Sequence, residues 1–171
     1  MGTLKEFVIS FAGLSEGIHK YNYKVSRSFF EEAESTEIED GDVEVKLELE
    51  KQTRMLIFNF QISGTIVVPC DRCLDPMNVE IESENRLIVK FGERWDEEDD
   101  EVLIIPEHEH KIDIKQFIAE FIELQIPMRK VHPEDENGES NCNPEILKKL
   151  KEHQAAEIDP RWEALKNLKI N

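Results

Sequence analysis

Cysteine is scarce in this 171-residue chain, and the three present are an odd number. That argues against a disulfide framework and for a reducing compartment. Basic residues are also few, 21 against 38 acidic ones, for a formal net charge of -17. A chain this acidic is repelled by phosphate backbones at long range, so any nucleic-acid contact needs a local basic patch. A basic protein is the easier electrostatic match, although solubility alone also accounts for the charge. No apolar run approaches a membrane span. Met1 to Glu6 lack the basic and apolar regions of a signal peptide, and Met1-Gly2 lacks the myristoylation spacing. Also missing are a phosphate-binding glycine loop, a serine nucleophile elbow, a His-Glu-x-x-His pair, a dinucleotide fingerprint and an internal repeat. Acidic residues are so abundant that pairing two as acid and base would be arbitrary; a hydrolase with a site outside these motifs stays open, but nothing in the residues supports it.

What is present centres on Pro69-Cys70-Asp71-Arg72-Cys73-Leu74-Asp75-Pro76. Before it, Phe58, Phe60, Ile62, Ile66 and Val68 alternate with Asn59, Gln61, Ser63 and Thr65. After it, Val79, Ile81, Leu87, Val89 and Phe91 alternate with Glu80, Glu82, Glu84, Arg86 and Lys90. Alternation over such lengths predicts two half-buried antiparallel strands, Met55 to Val68 and Met77 to Phe91, with both cysteines at the hairpin tip. Cys-x-x-Cys there has three readings. It supplies two thiolates for a tetrahedral metal, or it is an inert turn, or it is a redox pair. The redox reading ranks last, because a thioredoxin-like pair needs a helix after it to lower the thiol pKa, and here a strand follows.

Further strands are expected over Leu4 to Phe11, Ile18 to Val25, Asp42 to Glu50 and Glu101 to Ile105. Ser26 to Glu34 reads as a short helix inserting Phe29 and Phe30, with a strand extension as the alternative. Asp40-Gly41 is a turn signal, and Gly64 within a strand suggests a bulge or bend. Gly92 to Asp100 is so acidic that it reads as a solvated loop, in which Trp95 is either an anchor or a contact surface. His108 and His110 with Glu107 and Glu109 read as a solvated face rather than a metal set. Asp113 is a candidate N-cap for an amphipathic helix over Ile114 to Gln125, stopped by Pro127. Asn143-Pro144 opens a helix through Lys151, and Asp159-Pro160 opens a last one. The fold class expected is α+β: a twisted antiparallel sheet that can curl toward a barrel, with C-terminal helices. Residues 1–128 form a β-rich core domain closed by one helix, and residues 129–171 a loop and helical tail.

If Cys70 and Cys73 hold zinc, two more ligands are required. Cys142 is the other thiol in the chain, and His132 lies in the same loop. These four would make a Cys3His site joining the hairpin tip to the loop after the helix. The alternative is that His132 is a loop histidine and Cys142 a free thiol.

The chain resembles the YceD-like family, the large ribosomal RNA subunit accumulation proteins. The resemblance rests on Cys70-Asp71-Arg72-Cys73-Leu74 between long strands, on Asp113 leading into a helix with Glu120 that ends in Ile126-Pro127-Met128, on His132 and Cys142, and on the tail from Asp159 to Leu168. It implies a cytoplasmic bacterial protein, or an organelle relative, needed for 23S rRNA accumulation and large-subunit assembly, without known enzymatic activity. Many relatives carry further cysteines after the helix in a zinc-finger-like arrangement, and this chain keeps only His132 and Cys142 there. The expected partner is therefore a large-subunit precursor, through 23S rRNA or a protein bound to it. The alternative is an acidic, chaperone-like binder of a basic ribosomal protein. Basic residues gather only in the tail, so RNA or partner contact is expected through Arg161, Trp162 and Lys166, together with Arg72 at the hairpin tip.

Overall fold

The computed structural model describes residues 6–99, 101–136 and 138–154. Its elements, in chain order, are β1 (Val8–Ile9), β2 (Gly17–Val25), α1 (Arg27–Glu32), β3 (Asp40–Lys51), β4 (Met55–Pro69), β5 (Pro76–Gly92), β6 (Asp96–Asp99), β7 (Val102–Pro106), β8 (Ile112–Asp113), α2 (Lys115–Glu123) and α3 (Pro144–Gln154). Six strands form one sheet in the order β2-β3-β4-β5-β7-β6, and β1 pairs with β8 separately. The class is α+β with a twisted sheet, and the sheet is open rather than closed into a barrel.

Alternating side chains explain the central strands. On β3, Val43, Val45, Leu47 and Leu49 are buried, while Glu44 and Lys46 between them face water. Phe58, Phe60, Ile62, Ile66 and Val68 of β4 bury the same face, joined by Ile81, Leu87 and Val89 of β5. Because the side-chain period is two, a slip of one residue would expose this whole set, so the register is strongly specified. Phe29 and Phe30 of α1 enter the core edge to face, 5.6 Å between ring centroids. Helix α2 buries Ile118, Ala119 and Ile122, and its Phe121 meets Phe60 edge to face at 5.3 Å.

Several expectations are corrected. Asp40-Gly41 is not a turn but the start of β3, where Gly41 lies against Phe30: a Cβ there would sit 2.9 Å from the Phe30 ring. Pairing runs unbroken through Gly64, which faces Val43 and Ile81, so there is no bulge. Glycine is required there by close approach, since a Cβ would stand 2.7 Å from Val43 Cα. The acidic run after Gly92 contains a strand, β6, paired to β7 at the edge of the sheet. Charge on an edge strand discourages pairing with other chains. Strand β7 pairs with β5 in parallel, so the sheet is antiparallel except at this one pairing. Within the expected first strand, only Val8–Ile9 is paired among the described residues. Helix α2 is shorter than its apolar pattern, ending at Glu123. Asp113 does act at its start, its Oδ1 accepting the Lys115 N–H at 2.9 Å.

Candidate metal centre

The β4–β5 hairpin narrows to the Pro69–Pro76 pair, and Cys70 to Asp75 form its tip. Cys70 N–H donates to the Asp75 carbonyl at 3.0 Å, and Leu74 N–H donates to the Cys70 carbonyl at 2.9 Å. Leu74 pays for this tight turn with a left-handed backbone, φ 62°, and its side chain is exposed. The fold of the tip leaves the Arg72 N–H 3.5 Å from Cys70 Sγ, pointing a donor at a sulfur.

The segment after α2 is tied onto this tip. Asp71 N–H donates to the Lys130 carbonyl at 2.6 Å, and Lys130 N–H donates back to Asp71 Oδ2 at 2.7 Å. The Lys130 ammonium sits 2.8 Å from Glu37 Oε2. Arg72 Nη1 donates to Ser140 Oγ at 3.2 Å. A small turn then folds back on itself: Glu134 bridges Ser140, Glu139 N–H donates to Asp135 Oδ1 at 2.8 Å, and Gly138 takes φ 78°. This reversal brings His132 beside Cys142, ten positions later. Helix α3 follows at once. Asn143 Oδ1 accepts the Glu145 N–H at 3.1 Å as its cap, and Pro144 occupies the first helical position, where a missing N–H costs nothing.

The four donors meet here. Cys70 Sγ lies 3.8 Å from Cys142 Sγ, His132 Nδ1 lies 3.5 Å from Cys73 Sγ and 3.8 Å from Cys142 Sγ, and all four donor atoms lie within 4.8 Å of one another. The three cysteines are free thiols and buried, and His132 is half-buried. The three cysteines form a small buried cluster of their own beside the main core, covered by Met77, Val131, Ile146 and Leu147. His132 Nε2 lies 3.3 Å from the Pro76 carbonyl oxygen. A carbonyl only accepts, so Nε2 carries the proton and the Nδ1 lone pair faces the sulfurs, the usual orientation of a metal-bound histidine.

Electrostatics suit a cation. Burial opposes ionisation of Cys70, but N–H donors from Cys73 and Arg72 outweigh it and draw the thiol down to about 6. The Ser140 hydroxyl lowers the Cys142 thiol, while burial pushes the Cys73 thiol up. His132 is raised, chiefly by its contact with Cys142. The cluster can hold a metal ion, and it is the one such group of three or more donors among the described residues. His108 and His110 belong to no such group.

Arg72, expected as a contact residue, is half-buried and hydrogen-bonded to Ser140. Arg161, Trp162 and Lys166 lie outside the described residues. The Asp71–Lys130 and Arg72–Ser140 links were missed in the sequence; the only signal was the basic pair Arg129-Lys130 after Pro127, too weak to choose a partner. Among the described residues no helix is long and apolar enough to cross a membrane.

A family model described as "Large ribosomal RNA subunit accumulation protein YceD" matches residues 58–169, a span that includes all four donors. The chain is also 30% identical over 128 residues to a Bacillus subtilis (strain 168) protein described as "Uncharacterized protein YlbN", covering 74% of this chain and 73% of that relative. No solved structure matches.

Proposed function

Because the chain belongs to the YceD family of large ribosomal RNA subunit accumulation proteins, we propose that it is an assembly factor for the large ribosomal subunit, acting on 23S rRNA or a protein bound to it without catalysing a reaction. The family match over residues 58–169 is the observation that carries this reading. It is a cytoplasmic role, and the basic tail with Arg161, Trp162 and Lys166 supplies the contact with the precursor.

We further propose that Cys70, Cys73, His132 and Cys142 bind one zinc ion in a structural site. Zinc at about 2.3 Å from sulfur and about 2.1 Å from nitrogen spaces tetrahedral sulfurs about 3.8 Å apart, and sulfur from nitrogen about 3.6 Å. The separations of 3.8 Å between sulfurs and of 3.5 and 3.8 Å between sulfur and nitrogen support that choice. Four protein ligands leave no open position, which fits a clamp rather than a catalytic centre. When bound, the ion would tie the loop after α2 to the hairpin tip, and thereby set where α3 and the tail begin.

The test is sedimentation of a cell extract on a gradient, with and without ribonuclease, using the full chain and a variant lacking residues 159–171. The full chain is expected with large-subunit precursors, and the shortened chain is expected to shift to the top. A full chain that never leaves the top fractions overturns the assembly reading. Retention after ribonuclease favours the protein-partner alternative.

A further inference from the structure

A cleft of about 810 Å³ opens beside α2, between that helix, the segment after α1, and Trp95 just before β6. Its floor is apolar, with Leu103, Ile112 and half-buried Phe117. Trp95 lines it with 53% of its surface exposed, which is unusual for so large an apolar side chain. Glu34, Glu120 and Glu123 line it as well, all three exposed. Glu120 and Glu123 are three apart on α2, so they project from one side of the helix. Neither these two nor Glu34 has a cationic partner among the described residues. The one cation of the cleft, Lys115, is committed: its ammonium reaches the Glu32 carbonyl at 3.0 Å and the Glu32 carboxylate at 3.3 Å.

We propose that this cleft is a docking site for an arginine-rich segment of a basic protein. A guanidinium stacks on an indole face and pairs with a carboxylate through two parallel N–H donors, while the arginine stem covers apolar floor. Lysine offers a point charge without the flat, forked geometry, so it is the poorer occupant. RNA is excluded from the same cleft by carboxylates facing its phosphates. The charge of the molecule as a whole, -17, steers such a partner from a distance, and the cleft supplies the specific hold. This surface is independent of the metal centre and of the tail, and it does not depend on the ribosomal reading.

Fluorescence anisotropy of a labelled nine-residue peptide, alternating arginine and alanine, tests this against the full chain at physiological salt. Three comparison probes are the lysine version, the glutamate version and a labelled oligouridylate. Saturable binding of the arginine peptide is expected, weaker for lysine and absent for the other two. Trp95→Ala, and separately Glu120→Gln with Glu123→Gln, are expected to weaken it by about five-fold or more. The control pair Glu80→Gln with Glu82→Gln removes equal charge from exposed positions of β5 and is expected to change it less than about two-fold. All substituted positions are exposed, so folding is expected to be retained and is checked by circular dichroism. Equal weakening by both glutamate pairs, equal affinity for lysine and arginine, no peptide binding, or oligouridylate binding lost in Trp95→Ala would each overturn the proposal.

Discussion

Asp71 and Lys130 stand 59 positions apart and clasp each other through two short hydrogen bonds, backbone N–H to carbonyl at 2.6 Å and backbone N–H to carboxylate at 2.7 Å. The pair holds the loop carrying His132 and Cys142 against the tip carrying Cys70 and Cys73. Replacing Asp71 with alanine removes the acceptor for the Lys130 N–H and leaves the thiols in place. The expected cost is about 1–2 kcal/mol of stability, with zinc affinity weaker by about ten-fold, as for other supporting contacts. Chelator competition beside urea unfolding measures both. Unchanged zinc affinity would show that the metal set assembles without this clasp.

Zinc binding itself is expected at one ion per chain. Native mass spectrometry after metal-free preparation and zinc addition should show a single increment for the parent and none for Cys70→Ser or Cys142→Ser. Metal removal should lower the melting temperature, because the ion stabilises only the folded chain. No increment under conditions that load a control zinc finger would sink the idea.

Leu74, directly after the second cysteine of the tip, has φ 62° and is 76% exposed. An ordinary side chain in this region costs about 1 kcal/mol or more, and glycine does not. Leu74→Gly is therefore expected to hold or raise stability by up to about 1 kcal/mol, after the added freedom of the unfolded chain is set against the relief. Leu74→Val should destabilise, because a β-branched residue fits the left-handed region worst. Urea midpoints compare the two, and a glycine variant less stable than valine would refute the strain.

Tyr23 gives the alkaline limb of the stability profile. Burial raises its hydroxyl to about 12, with Tyr21 and Glu6 adding to the rise. The folded state therefore holds this proton more tightly than the unfolded state, whose tyrosine ionises near 10. The resulting stability is fully present below pH ~10 and is lost as pH climbs toward about 12, a change of about 2–3 kcal/mol at most. Tyr23→Phe should flatten that part of the profile, measured by urea unfolding at several pH values between ~9 and ~12. A phenylalanine variant with the same alkaline slope would remove Tyr23 as its source.

The sequence by itself determined the central meander. Val43 to Leu49, Phe58 to Val68 and Ile81 to Val89 alternate because the two faces of a strand are written in neighbouring residues, and burial of one face then fixes the register. The Cys-x-x-Cys hairpin tip and the cap at Asn143-Pro144 were legible for the same local reason. Tertiary structure decided what depends on distant partners. The acidic run became edge strand β6 only because Leu103 and its neighbours offered a ladder. Gly41 belongs to β3 because it pairs with Ile66 of β4, and Phe30 leaves little room for a Cβ there. That Cys142 stands beside Cys70, 72 positions earlier, goes with the Asp71–Lys130 clasp and the turn around Gly138. Periodicity carries no information about such long-range closure, whose cost is met only when the whole loop has docked.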